Sequence, residues 1–273
     1  MKTIVAFSIV VLTAGPIQAE PSQASRDLFE ALRLTDVVAV MREEGIQYGE
    51  DLREELFPQS GSDAWNDAVK GIYDSDRMES QLLAGFDKRI ESDDLQALTE
   101  FFTGEPGQTI VDLEIEARRA MQDADVEEAA EERAAEMRAS ETAWIGRIDA
   151  FIASNDLVEM NIVGSLNSNF AFYEGMTQGG LLADAMSEDQ MIADIWAQEP
   201  QIRADTEDWI YGFLTLAYQP LNDDQFDAYV DLSASDAGQA LNSALFAEFN
   251  AMFAEISRQL GVQAANFMQS QDI

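Results

Sequence analysis

"FFTGEPGQTI" at residues 101–110 and "LSASDAGQAL" at 232–241 stand 131 positions apart and read as the same event in the chain. In each, an apolar run stops, turn-forming residues interrupt it, and a Gly-Gln pair (Gly107-Gln108, Gly238-Gln239) opens the next apolar run. Glycine tolerates backbone angles and close approaches that a side chain forbids, and Pro106 suits the start of a helix, where its missing amide has no partner to lose. The stretch is a corner between two helices.

The flanking periodicity is helical. Leu241, Leu245, Phe249, Met252, Ile256 and Leu260 recur in steps of three or four, as do Ile110, Leu113, Ala117 and Met121, so each set lies on one face of a helix. Ser92, Asn222 and Ser187 precede such runs, and Ser187 with Gln190 forms a capping box. Each offers a side-chain oxygen to the free amides of a first helical turn. Sustained alternation of apolar and polar residues, the mark of a strand, is absent. The fold expected is all-α.

The shift of 131 extends well beyond the corner. Asp63 meets Asp194, Trp65 meets Trp196, Leu83 meets Leu214 and Met121 meets Met252, within ten identities over 59 aligned pairs. A shared register over several helical turns is the signature of a repeat, and the shared tryptophans suit one packing role in both copies. Upstream the shift becomes 120, pairing Asp36-Val37-Val38 with Asp156-Leu157-Val158, so the second copy carries about 11 extra residues, placed in "GMTQGGLLADAM" at 175–186. Gly175, Gly179 and Gly180 mark that stretch as a flexible loop. The expected architecture is two repeated helical units (helix hairpins or a bundle) joined by a long acidic helix. Copy one covers 20–121, the connector 122–143 and copy two 144–273, after a leader at 1–19. The connector "QDADVEEAAEERAAEMRASE" (122–141) has no Pro or Gly and is strongly helical. Its Ala-rich stripe implies a thin packed face on an otherwise solvated spacer, either continuous with its neighbours or broken near Asp123 or Ser140.

"LTEFFTGEPGQTI" (98–110) resembles the signature of the bacterial domain-of-unknown-function family 2059, a helical module of exported proteins. That pattern runs from an apolar residue and an aromatic pair, through a Ser-Pro-type turn, to a Gly-Gln or Gly-Lys that opens a long helix. Phe101 and Phe102 fill the aromatic positions, Gly104 stands where Ser is usual, and Gly107-Gln108 fits the end. In the second copy Ser235 and Gly238-Gln239 fit, while Ser233 breaks the aromatic pair. The resemblance implies two diverged copies of an all-α exported module and no established activity. These eight residues (Phe101, Phe102, Gly104, Gly107, Gln108, Ser235, Gly238, Gln239) are read as a structural turn motif.

Residues 1–19, "MKTIVAFSIVVLTAGPIQA", combine Lys2, an apolar run and a terminal Ala19. That is the form of a secretory signal peptide cleaved near Ala19, which places the mature chain in the periplasm or the medium. The apolar run is far shorter than the roughly 20 residues of a spanning helix, and no span is expected in the mature chain. With 16 basic and 52 acidic residues the net charge is −36, and without Lys2 it is 15 − 52 = −37. Such a surface repels phosphate, so nucleic acid is not an expected partner. There is no cysteine to form a disulfide and no histidine for a catalytic triad or an ordinary zinc site.

No catalytic, cofactor or metal residues are assigned. Acidic runs such as "DSDRME" (74–79) and "DADVEE" (123–128) lack the central Gly and distal Glu of a calcium loop. Phe170, Phe172, Tyr173 and Met176 have two readings. One is core packing, which aromatics at helical spacing ordinarily serve. The other is an apolar groove for an envelope protein partner or an apolar ligand. The function expected is that of a non-enzymatic periplasmic binding or interaction module. The alternatives are a carboxylate-dependent hydrolase or lyase acting on cell-envelope polymer, which needs an acid with a raised pKa in a cleft, and a periplasmic holdase chaperone. Oligomeric state is left open.

Overall fold

A computed structural model describes residues 20–58, 63–182 and 186–271. The proposed leader lies outside them, as does part of the 175–186 stretch. The described residues form α-helices without a strand, as the periodicity implies. The first six are α1 (Gln23–Ala31), α2 (Leu34–Leu56), α3 (Asp63–Ile72), α4 (Ser75–Arg89), α5 (Ser92–Thr103) and α6 (Gly107–Ala120). They are followed by α7 (Ala124–Ala139), α8 (Ala143–Asn155), α9 (Leu157–Gln178), α10 (Glu188–Tyr218), α11 (Asp223–Ala234) and α12 (Asp236–Gln271).

Ser187 and Asn222 cap their helices as the sequence implies; the box expected at Ser187 with Gln190 forms, and Asn222 forms one as well, with Gln225. Ser92 does not cap: Glu91 takes the cap position and Ser92 is the first helical residue. The acidic runs start helices. Asp74 accepts from the Arg77 amide and Asp123 from the Asp125 amide. The connector is one helix, α7, but it is not continuous with α6 or α8, because the chain breaks at both ends of it, around Asp123 and Ser140. Ala130, Ala134 and Met137 of α7 are buried while its acids stay outside, and this thin stripe packs on α10.

The two corners end their first helices alike. Helices α5 and α11 are both 12 residues long and end on an extended residue, Gly104 or Ser235, whose amide returns to a carbonyl three back, Phe101 or Leu232. A Cβ on Gly107 would lie 2.2 Å from the Phe101 carbonyl oxygen, and one on Gly238 would lie 2.0 Å from that of Leu232. Glycine stands at both because the new helix starts in contact with the backbone of the old one. The burial pattern repeats as well: Ile90 and Leu221, Leu95 and Phe226, Ile110 and Leu241, Met121 and Met252 are all buried.

Each corner sends its following helix into the far half of the molecule. Leu241, Ala244, Met252, Ile256, Leu260 and Ala264 of α12 complete a core built on α1–α5, around Trp65, Phe86 and Leu98. In return Ile110 and Ala117 of α6 enter a second core with Ile148, Phe151, Leu214, Tyr218 and Phe226, while Val111 and Ile115, on the other face of α6, belong to the first.

The second half departs from the first at its tryptophan. Trp65 is fully buried against Phe57 and Phe267, its indole N–H donating to the Gly49 carbonyl at 2.7 Å. Trp196 is 62 % exposed, so the shared packing role does not hold. The cause lies in the helices. Asp74 lies in the break after α3 and caps α4, whereas its counterpart Asp205 sits inside α10, held by the Gln201 amide. Fusing two helices into one carries Trp196 away from the core.

The glycines of 175–186 also differ from expectation. Gly175 lies inside α9 and Gly179 caps it. A Cβ on Gly175 would lie 2.1 Å from the Arg258 carbonyl oxygen, and one on Gly261 would lie 2.2 Å from that of Phe172. Here glycine brings the backbones of α9 and α12 together, and only Gly180 has a positive φ, 88°. The stretch as far as Gly179 is close helix packing, not a flexible loop.

Candidate functional site

The four groove residues do not share a surface. Phe172 packs into the first core and Met176 is buried. The Tyr173 hydroxyl donates to Asp194 of α10 at 2.7 Å. Phe170 alone reaches an open groove between α9 and α10, of about 470 Å³, with Val163, Leu166, Ile192, Ile195 and Trp196. Of the four large apolar residues exposed among the described ones, Val163, Ile192 and Trp196 line this groove and Tyr48 stands apart. Successive turns of α9 explain the division, since one face meets α12 while the opposite face meets α10.

A second feature was not anticipated. A cavity of about 250 Å³ lies where α5, α6 and α8–α12 meet, lined by Phe102, Phe151, Trp209, Phe213, Tyr218 and Tyr229 around the carboxylate of Glu114. The hydroxyls of Tyr218 and Tyr229 both donate to Glu114 Oε1, at 2.5 and 3.0 Å. Burial pushes the Glu114 carboxyl above its ordinary value, against the two tyrosine hydrogen bonds that pull it down. Glu114 keeps partial solvent access, consistent with its place in the cavity wall. Burial beside this carboxylate raises both tyrosines well above their usual range, so both are neutral donors. The partners lie 104 and 115 residues from Glu114, beyond any local motif. One sign was present: Glu114 falls at helical spacing from Ile110 and Ala117, a charge within an apolar stripe.

The turn-motif residues serve the corners themselves. Phe101 and Phe102 stack edge-on and both pack against Tyr229, so the first corner braces the second unit's tyrosine. The Ser235 hydroxyl caps the second corner by accepting from the Gly238 amide at 3.1 Å. Gln239 reaches the carbonyls of Ser154 and Ser233, and the amide of Gln108 bonds to the Gly104 carbonyl at 3.0 Å.

These features define an all-α protein organised around two glycine corners, and no described helix is long and apolar enough to cross a membrane. Residues 76–136, from the first turn of α4 into α7, match the model of the family described as "Uncharacterized protein conserved in bacteria (DUF2059)". The match spans the first corner and stops before the second. No curated protein and no solved structure matches the chain.

Proposed function

We propose that this chain is an exported, non-enzymatic interaction module, released into the periplasm or the medium by cleavage near Ala19, whose groove between α9 and α10 receives a segment of an envelope protein partner. In this reading residues 20–121 and 144–273 derive from two diverged copies of one helical unit, a view supported by the matching corners and the burial that recurs at a shift of 131. The observation that carries the function is the grouping of Val163, Ile192 and Trp196, three exposed apolar side chains in one groove. Contiguous apolar surface rimmed by polar residues marks interaction sites in proteins at large.

Charge indicates the partner. From residue 148 to the end, Arg203 and Arg258 stand alone against twenty Asp and Glu, and Glu188 lines the groove. A segment with apolar anchors flanked by Lys or Arg complements this surface. A photo-crosslinker at Ile192, used in cells, tests the reading. The expected product is one partner, joined through an apolar segment with basic flanks and lost in Trp196→Asp. Many unrelated clients would favour the holdase, and capture unchanged by Trp196→Asp would refute the groove.

The alternative of a carboxylate-dependent hydrolase draws on the raised carboxyl of Glu114. Its cavity, however, has no second carboxylate among its lining residues, whereas glycosidases ordinarily use a pair. A volume of about 250 Å³ is also small for a polymer.

A further inference from the structure

We propose that the cavity lined by Glu114 and Trp209 binds a small organic ammonium ion with an aromatic or alkyl body, its charge met by the Glu114 carboxylate. The site is separate from the α9–α10 groove, and the proposal stands without the partner-binding reading.

The lining gives the chemistry. Aromatic rings from four helices surround a single carboxylate, with the amides of Asn155, Asn161 and Asn242 as the other polar side chains beside Ser233 and the two tyrosines; no Lys or Arg lines the cavity. Aromatic faces attract cations, most strongly where water is excluded. A hard metal ion needs six or more oxygen ligands, which one carboxylate in an aromatic wall does not supply. The volume of about 250 Å³ lies below the range of drug-sized ligands, roughly 300–1,000 Å³, so the body is small.

The geometry leaves the carboxylate with free capacity. Both tyrosines donate to Oε1, and among the described residues no protein donor reaches Oε2. For joining α6 to α10 and α11 alone, an amide oxygen would accept the same two hydrogen bonds without a charge. A carboxylate held among aromatics is costly until a cation compensates it.

The approach carries the same sign. A concavity that shares Asn161, Trp209 and Ile210 with the cavity is lined by Glu127, Glu131, Asp205 and Asp208. Burial, and then the neighbouring acids, raise Glu131, as expected of crowded negative charge. Arg138 offsets a part of it through Asp208, 3.8 Å away. Such a vestibule concentrates cations and repels anions.

Calorimetric titration of the mature chain with phenethylammonium, phenethyl alcohol and methylammonium tests the site. Phenethylammonium is expected to bind at least tenfold more tightly than either of the others, and Glu114→Gln to bring it to the level of the alcohol, with folding checked by circular dichroism. Equal affinity for phenethylammonium and the alcohol, no binding of either, or a preference that survives Glu114→Gln would overturn the proposal. Methylammonium binding as tightly as phenethylammonium would overturn it too, placing the interaction on the acidic surface. Should Glu114→Gln fail to fold, the wild-type pH dependence decides. The groups facing Glu114 from α10 and α11 are Tyr218 and Tyr229, both neutral, and α5, α8, α9 and α12 contribute no titratable side chain to the lining. The preference for the ammonium over the alcohol must therefore grow as pH rises through the raised carboxyl value, and a flat preference refutes the site.

Discussion

Replacing either corner glycine with alanine is the most direct test of the architecture. An alanine Cβ at Gly107 would stand 2.2 Å from the Phe101 carbonyl oxygen and 2.7 Å from the Phe102 Cα. At Gly238 the corresponding distances are 2.0 Å to the Leu232 oxygen and 2.8 Å to the Ser233 Cα. These are backbone atoms, so the whole helix must move by more than an ångström instead of one side chain turning aside. Overpacking of this kind costs about 1–3 kcal/mol. Alanine returns up to about 1 kcal/mol of helix propensity, which leaves a net loss of about 1–2 kcal/mol. For a chain of this size that is a fall of about 2–8 °C in melting temperature. Gly146→Ala is the control: nothing lies within 4 Å of its Cβ, it sits within α8, and a gain of about 0.5–1 kcal/mol is expected. Urea and thermal unfolding followed by circular dichroism measure all three. If Gly107→Ala or Gly238→Ala matches or exceeds the wild type, the close-approach argument fails. A loss at one corner alone would break their equivalence.

Trp65→Ala should cost about 3–5 kcal/mol, the usual loss for a buried large aromatic, while Trp196→Ala should change stability by less than about 0.5 kcal/mol; comparable losses in urea unfolding would contradict the opposite fates of the two. Gly261→Ala forces a Cβ to within 2.2 Å of the Phe172 carbonyl oxygen and is expected to lower stability by about 1–3 kcal/mol, a neutral result in thermal unfolding ruling out the close α9–α12 contact. The Glu114 carboxyl is raised in the folded chain, so its contribution is full below the ordinary carboxylate value and lost as pH rises through the raised one. The stability of wild type relative to Glu114→Gln should accordingly fall as pH rises from the ordinary carboxylate value through the raised one, and a constant difference across urea titrations would show that Glu114 is not raised.

The sequence disclosed those features whose cause is local. The stripe from Leu241 to Leu260, the capping box at Ser187, the cap at Asn222, and the breaks at Asp123 and Ser140 depend on residues within one or two turns of each other. Features whose cause lies across the molecule were not legible. Alpha-helical spacing placed Ile110 and Ala117 on one face but could not say that this face enters the second core while Val111 and Ile115 enter the first. Trp65 and Trp196 occupy matching positions, and their fates diverge because Asp74 begins a helix that Asp205 merely continues. Gly175 and Gly179 read as flexibility because nothing nearby revealed that α12 would press against them. The same limit hid the cavity, since Glu114 acquires its meaning only from Tyr218 and Tyr229.

The exchange of helices connects these failures. Each corner hands a face of its following helix to the other core, so neither half encloses its own apolar surface. The family-matched segment, 76–136, supplies α4 to α7 in whole or large part, yet α4 is covered by α12 and α7 by α10. Cut from the remainder, that segment would present Leu82, Phe86, Ala130 and Ala134 to water, and each buried methylene so exposed loses about 0.8 kcal/mol. Its apolar faces therefore require helices from outside it. In this chain α10 and α12 provide them, and the crossing that brings α6 to α10 and α11 also surrounds Glu114 with tyrosines. Cavity and fold thus have one origin: the aromatic wall around that carboxylate exists because the two halves are interleaved.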